Sequence, residues 1–236
     1  MGIRKFNLAI ETSGPVGSVT IGEGDEMMDT VEFSRKQRHN IELVSVLQRL
    51  MSGANTGPVD LDEVYVSIGP GSFTGLRVAV STVKMLALVV GIRIVAVPSI
   101  EVVAARVMES WEDSGHLAVC LNRKANQAYS GVFCRRGQVL ELLAEPHWRS
   151  FSNLLEQAPR PLAIVGHELD DVPECRASQV TILPGEIAVG RSADVWRLGR
   201  LMANRGLFED PGRLVPLYAR DPEAVALWDQ RHGLNK

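Results

Sequence analysis

The sequence has few cysteines, little net charge and no long apolar run, as is usual for a globular protein. Only three cysteines occur in 236 residues and none forms a C-x-x-C motif, which excludes a disulfide framework and a cysteine metal site. With 25 basic and 28 acidic residues the net charge is −3, so bulk charge gives no broad attraction to nucleic acid or anionic membrane. The longest apolar run, Met85 to Ile92, is shorter than the roughly 18 residues of a membrane span. We therefore expect a cytoplasmic protein without a membrane partner.

The hydrophobic patterns predict an α/β protein made of two similar halves. The first half reads as three strands, a helix, a strand, a helix, a strand and a helix: 6–10, 16–21, 27–33, 40–53, 64–68, 76–90, 93–97 and 99–109. The second half is a weaker echo with three strands, a helix, two strands and a helix: 117–121, 128–133, 139–143, 151–157, 162–165, 180–183 and 188–204. We predict an N-terminal lobe at 1–112 and a smaller C-terminal lobe at 113–236. The segment after Asp210 should cross the surface, with the last helix and tail packing back on the first lobe.

A glycine-rich segment, Gly69-Pro-Gly-Ser-Phe-Thr-Gly75, separates a predicted strand from a predicted helix. Backbone N–H groups at such a turn, together with the positive end of the helix dipole, are suited to holding an anion. A P-loop would end in Gly-Lys-Ser/Thr, however, and a dinucleotide fingerprint would need glycine where Thr74 stands. The alternative is a tight turn in which Ser72 or Thr74 caps the helix.

A second polar turn, Glu11-Thr12-Ser13, follows the first predicted strand. A carboxylate and two hydroxyls are able to hold a metal-bound phosphate there, although turn hydroxyls also satisfy their own backbone. The candidate nucleotide-binding residues are therefore Glu11, Thr12, Ser13, Gly69, Gly71 and Ser72. The five histidines are scattered, with no pair four residues apart, so we predict neither a metal site nor a catalytic residue.

The helix after Gly75 is apolar on nearly all sides and must be covered on more than one of them. It is either a core helix between the sheet and another helix, or a helix with one face on the sheet and one on a second protein. Four residues share the inward side: Leu76, Val80, Val83 and Ala87. The candidate partner face comprises Arg77, Ser81, Lys84, Met85 and Leu88.

Three segments together resemble one family: Glu11-Thr-Ser13, Gly69-Pro-Gly-Ser-Phe-Thr-Gly-Leu-Arg77 and Val215-Pro-Leu-Tyr-Ala-Arg220. The family is TsaB, formerly YeaZ, of the bacterial tRNA threonylcarbamoyladenosine machinery. The resemblance spans the chain and implies an actin-like, hexokinase-like (ASKHA) fold of two mixed-sheet lobes with flanking helices. It also implies a dimer face on the helices that follow His39 and Gly75.

The resemblance further implies a non-catalytic subunit. The family's catalytic relative has a His-x-x-x-His metal motif, whereas this chain has His39-Asn-Ile-Glu-Leu43. The family's usual Asp at the first turn is Glu11 here, which weakens a claim to nucleotide binding. We expect no cofactor of the chain's own, with ATP possible at the complex.

Two functions follow from these residues. The first is a scaffold and activator that binds the threonylcarbamoyl transferase (TsaD-like) and works with a P-loop ATPase (TsaE-like) on tRNA beside the anticodon, forming a homodimer when isolated. The second is an autonomous actin-like ATP-binding phospho- or carbamoyl-transferase that uses Glu11 and the Gly69–Gly75 loop. A metalloprotease or chaperone function has no metal ligands and no nucleophile to support it.

Overall fold

The computed structural model describes residues 5–34, 39–111, 115–136 and 139–220. The predicted lobe boundary between residues 112 and 113, and the tail after 220, lie outside the described residues. The chain forms two five-stranded mixed sheets. Both sheets have the same connectivity, which confirms the predicted repetition of architecture.

The first sheet has the strand order β3-β2-β1-β4-β5. Its strands are β1 (Phe6–Glu11), β2 (Val16–Glu23), β3 (Glu26–Ser34), β4 (Leu61–Gly69) and β5 (Arg93–Pro98). The first three form the predicted antiparallel meander, and β4 and β5 continue the sheet parallel to β1. Every residue of β1 is buried, because helices cover both faces of this sheet.

The second sheet has the equivalent order β10-β9-β6-β7-β8. Its strands are β6 (His116–Lys124), β7 (Gln127–Arg136), β8 (Val139–Ser150), β9 (Leu162–Gly166) and β10 (Val180–Ile182). Again three strands form an antiparallel meander, while β9 and β10 are parallel to β6. One helix, α4 (Phe151–Gln157), packs on its outer face through Phe151 and Leu154.

Successive side chains of β1 point to opposite faces of the first sheet, so the first lobe has one hydrophobic layer on each face. Leu8 and Ile10 point towards α1 (His39–Gly53) and α2 (Phe73–Val90), whereas Ala9 points to the opposite face. That opposite face is covered by α3 (Ser99–Ser110) and α5 (Ser192–Asn204). The last helix therefore packs back on the first sheet.

Helix α3 lies between the two sheets. Its Ile100, Val103 and Val107 join a core cluster with Leu117 and Val119 of β6. Residues of α3 also contact α5, so one helix connects the hydrophobic cores of both lobes.

Some predicted boundaries are wrong for identifiable reasons. Ser99, where the predicted helix begins, has the residue type of a helix cap, but the cap position of α3 is Pro98, and the Ser99 hydroxyl instead pairs with Ser67 at 2.6 Å. The last helix begins at Ser192 rather than near Ala188, because residues 185–188 form a separate 3-10 turn. Leu214, predicted to lie on the surface, is buried in the core of the first lobe.

Helix α2 is long and apolar enough to cross a membrane, with 18 residues and a mean hydropathy of 1.6. Core helices of soluble proteins meet the same criterion, which makes this a weak indication. Leu76, Val80 and Val83 of α2 are buried residues of the first lobe. Its length and composition alone do not assign it to a membrane.

Candidate functional site

The glycine-rich segment connects β4 to α2, as the sequence predicts. Ser72 is the N-cap of α2, and its side-chain oxygen accepts the Gly75 N–H at 3.2 Å. Gly69 has a φ of 110°, a conformation that favours glycine. Of the two capping candidates, the structure selects Ser72 over Thr74.

The structure brings the two predicted nucleotide-binding segments into direct contact. The Ser72 N–H donates to the Ser13 carbonyl at 2.8 Å, and the Thr12 hydroxyl donates to the Gly75 carbonyl at 2.9 Å. A Cβ at Gly71 would stand 2.4 Å from Ser13 Cβ, and one at Gly75 would stand 2.2 Å from the Thr12 oxygen. The glycines thus allow two backbones to approach each other, and the polar groups of both turns bond to one another.

Glu11 lies at the end of β1 with its side chain fully buried. Its Oε1 accepts the Ser13 N–H at 2.5 Å, whereas Oε2 has no hydrogen-bond partner. Burial raises the pKa of Glu11, and this effect exceeds the opposing effect of the hydrogen bond from Ser13. Burial therefore favours the neutral form of this group over the carboxylate that would coordinate a cation.

Gly190 covers this carboxyl group, although nothing in the sequence points to this residue. Gly190, just before α5, lies so close that a Cβ there would be 3.1 Å from Glu11 Oε2. Beside it, a Cβ at Gly14 would be 3.2 Å from a methyl carbon of Val189. The segment that leads into α5 therefore closes over the turn that follows β1.

A cavity of about 300 Å³ lies next to the two turns. Its lining includes Ser13, Gly71, Ser72, Asn122 and His167, and Glu11 is not part of it. No described lining residue is Asp, Glu, Lys or Arg, so a triphosphate here would meet no fixed opposite charge. These residues do not fit a magnesium nucleotide, and nucleotide binding by Glu11 would require the carboxyl group to be uncovered first.

The described residues also contain no group of three His, Cys, Asp or Glu side chains placed to hold a metal ion. A larger cavity of about 510 Å³ shares His167 and Gly190 of its lining with the first one. Its lining mixes cations and carboxylates, among them Arg106, Arg191 and Glu32. Arg106 donates to the Val189 carbonyl at 2.6 Å, which ties α3 to the segment that covers Glu11.

The predicted inward and outward sides of α2 match the exposure of its residues. Leu76, Val80, Val83 and Ala87 are all buried, as the helical period requires. Arg77, Ser81, Met85 and Leu88 are exposed and Lys84 is partly buried. Met85 and Leu88 are 54% and 79% exposed, and the neighbouring Val89, which the sequence reasoning omitted, is 77% exposed.

This apolar surface continues onto α1. Val44 of α1 is exposed, and a groove of about 360 Å³ runs between the two helices. Its lining is mainly apolar and includes Val44, Leu47, Met51, Met85 and Leu86. Large exposed apolar surfaces of this kind mark sites of protein association.

The late segment that resembles the family lies across one end of α2. The Leu217 N–H donates to the Ile68 carbonyl at 2.7 Å, next to the glycine-rich loop. Tyr218 packs against Phe73, with ring centroids 5.3 Å apart, and its hydroxyl accepts the Arg77 Nε–H at 3.0 Å. These residues add an aromatic edge to the α2 surface.

Comparison with known proteins gives a consistent result. The family model for tRNA N6-adenosine threonylcarbamoyltransferase (TsaD) matches residues 29–183. The tRNA threonylcarbamoyladenosine biosynthesis protein TsaB of Bacillus subtilis (strain 168) is 26% identical over 237 residues, covering 94% of this chain and 96% of the relative. TsaB of Buchnera aphidicola subsp. Schizaphis graminum (strain Sg) is 27% identical over 133 residues, covering 56% of this chain and 62% of that protein.

Solved structures support the fold. YeaZ from Pseudomonas aeruginosa superposes with a TM-score of 0.75 at 19% identity, covering 91% of this chain and 99% of that one. A second structure, of an uncharacterized protein from Pseudomonas aeruginosa with similarity to peptidase YEAZ, gives a TM-score of 0.77 at 19% identity, covering 92% of this chain and 100% of that one. The repeated mixed sheets and flanking helices define an α/β protein of the actin-like ASKHA class. Within that class the chain belongs to the TsaB (YeaZ) family, in the wider family of the TsaD model, as its sequence predicts.

Proposed function

We propose that this chain is a non-catalytic subunit in the biosynthesis of threonylcarbamoyladenosine in tRNA. The observation that supports this most strongly is the exposed apolar face of α2, in a lobe whose candidate acidic group, Glu11, is buried. An exposed apolar face of this kind supports a role in binding, and a buried Glu11 gives little support to metal–phosphate chemistry at the first turn.

The position that would supply a second metal ligand also supports a non-catalytic role. In the stretch His39 to Leu43, the fourth residue after the histidine is Leu43, which is fully buried in the first core. An aliphatic side chain in the core gives no metal ligand. The side chain of His39 lies outside the described residues.

The partner in this proposal is the TsaD-like threonylcarbamoyl transferase, which binds the face formed by Arg77, Ser81, Lys84, Met85 and Leu88. The P-loop ATPase and the tRNA join through the complex, and ATP acts there rather than on this chain alone. The isolated chain uses the same face to form a homodimer. All of these events take place in the cytoplasm.

The alternative, an autonomous ATP-dependent transferase, would need an open phosphate site. In the described residues the cavity beside the two turns has no charged lining, and Glu11 is covered by Gly190. The structure therefore favours the scaffold over the alternative.

Reconstitution of tRNA modification tests the proposal. The chain alone should transfer no threonylcarbamoyl group to tRNA, and adding the transferase, the P-loop ATPase and the activated threonylcarbamoyl donor should restore modification. Leu88→Glu should abolish the stimulation, whereas Leu201→Glu, at an exposed leucine of α5, should not. Modification by the chain alone at the rate of the complete set would show that it is an enzyme in its own right.

A further inference from the structure

The α2 surface carries cations but no anions. Arg77 and Lys84 are the charged residues of α2, and its sequence contains no Asp or Glu. The sequence of α1 contains one acidic residue, Glu42, and one basic residue, Arg49, so the formal charges of that helix cancel. The surface formed by α2 is therefore positive, although the whole chain has a net charge of −3.

Neither cation is neutralised within the described part of the chain. Arg77 donates to the Tyr218 hydroxyl, and its guanidinium carbon lies 3.8 Å from the centroid of the Phe73 ring. Lys84 Nζ donates to the Leu214 carbonyl at 3.1 Å. All of these partners are neutral, so both side chains are held in place while their charges remain uncompensated.

A two-fold contact between two copies of this chain would bring like charges together. In such an interface the same patch meets itself, so two Arg77 and two Lys84 residues would be brought together without a carboxylate from α2. Like charges that come together in an interface disfavour it, and desolvation increases the penalty. A partner with carboxylates at these positions would instead gain charge-assisted hydrogen bonds.

We propose that Arg77 and Lys84 are specificity-determining residues, which select a partner chain with an acidic docking surface over a second copy of this chain. The proposal rests on the use of the α2 face described above. Apolar contacts through Met85 and Leu88 are available to either partner, and the two cations decide between them. Tyr218 and Phe73 act as positioning residues, because they fix the Arg77 guanidinium at the edge of the surface.

Salt dependence gives the first test, because screening weakens attraction and repulsion alike. Between about 50 and 500 mM NaCl, self-association measured by sedimentation should strengthen by about threefold, whereas binding to the transferase should weaken by about tenfold. Self-association that weakens with salt would overturn the proposal.

Charge reversal gives the sharper test. Arg77→Glu places one charge of each sign on the face, so self-association should strengthen by about tenfold and transferase binding should weaken by about tenfold. A variant that only damages packing would weaken both, and that result would refute the proposal. Arg205→Glu, with the same charge change at the end of α5, should alter neither equilibrium.

The self-association and transferase-binding measurements together distinguish a failure of this proposal from a failure of the proposed function. If the transferase does not bind the wild-type chain at any salt concentration, the proposed function is wrong, and the self-association arm still decides whether Arg77 and Lys84 oppose pairing of identical copies. If the transferase binds with an affinity that neither salt nor Arg77→Glu changes, the function stands and the electrostatic selection fails.

Discussion

Gly190 lies directly against the carboxyl group of Glu11, and a Cβ at this glycine would be 3.1 Å from Oε2. The same Cβ would be 3.0 Å from a methyl carbon of Val102 on α3. The approach of the chain entering α5 therefore depends on the absence of a side chain at this point. This close approach also explains why Glu11, at the end of β1, does not line the neighbouring cavity.

Gly190→Ala should reduce the free energy of unfolding by about 1–3 kcal/mol, because the added methyl group overpacks a site filled on two sides. Urea denaturation measures the change. The loss should be smaller when Glu11 is also changed to alanine, since that substitution removes one of the two neighbours. Equal losses in the two backgrounds would show that Gly190 and Glu11 are not coupled.

Glu11 should make stability depend on pH. Its pKa in the folded chain is raised above the usual 4.5 by burial, so the folded state holds this proton more tightly than the unfolded state does. The stabilisation is complete below pH 4.5 and declines as pH rises from there to the folded pKa. Wild type should therefore lose stability relative to Glu11→Gln across this window, by on the order of 1 kcal/mol per pH unit.

Urea unfolding of both proteins between about pH 4.5 and 8 measures this difference. Burial also raises the pKa values of Glu101 and Asp194, but these groups are present in both proteins and cancel in the comparison. A difference between the two proteins that does not change with pH would mean that the pKa of Glu11 is not raised in the folded chain.

Local patterns predicted the features that depend on near neighbours. The two sides of α2 follow from the helical period, and a hydroxyl cap at Ser72 or Thr74, of which the structure uses Ser72, follows from the chemistry of the first turn. The meander of β1 to β3 follows from short apolar runs separated by glycine. In each case the interacting residues lie within a few positions of one another in sequence.

Contacts between distant segments could not be predicted in the same way. No local signal pairs Gly190 with Glu11, because the contact exists only after α5 has packed on the first sheet. The Ser99 hydroxyl has the chemistry of a cap, yet the nearby strand offers Ser67 and the hydroxyl bonds there. The Val215–Arg220 segment carries a family resemblance, but only the structure shows that Tyr218 fixes Arg77.

Gly75→Ala should cost more stability than an ordinary helix substitution. A Cβ there would be 2.2 Å from the Thr12 carbonyl oxygen, a backbone atom that cannot rotate away. We expect a loss of about 3 kcal/mol or more in urea unfolding, because the loop and the turn after β1 must separate. Gly53→Ala is the matched control, since nothing lies within 4 Å of its Cβ position, and it should be neutral or stabilising.

The three cysteines should react with a thiol reagent in two classes. Cys134 is partly exposed, whereas Cys120 and Cys175 are buried in the second core. Burial also raises the pKa of the Cys175 thiol to about 11 and raises that of Cys120, so little reactive thiolate is present at neutral pH. One thiol should titrate in the native chain and three in denaturant, and Cys134→Ser should remove the rapid reaction.

Leu88→Glu and Met85→Glu should abolish association through α2 while the chain stays folded. Leu88 and Met85 are 79% and 54% exposed, so a carboxylate at either position is solvated in the free subunit and loses water only in a complex. Specific interfaces bury about 800 Å² per partner, and a charge is least tolerated near their centre.

Ala87→Glu is the matched comparison, one residue away on the same helix. Ala87 is 8% exposed and belongs to the core of the first lobe, so the same carboxylate should unfold the chain rather than only dissociate it. Melting by circular dichroism beside light scattering distinguishes the two outcomes. If Leu88→Glu lowered the melting temperature as far as Ala87→Glu and left no folded monomer, the exposed side of α2 would be a structural surface and the partner face would have to lie elsewhere.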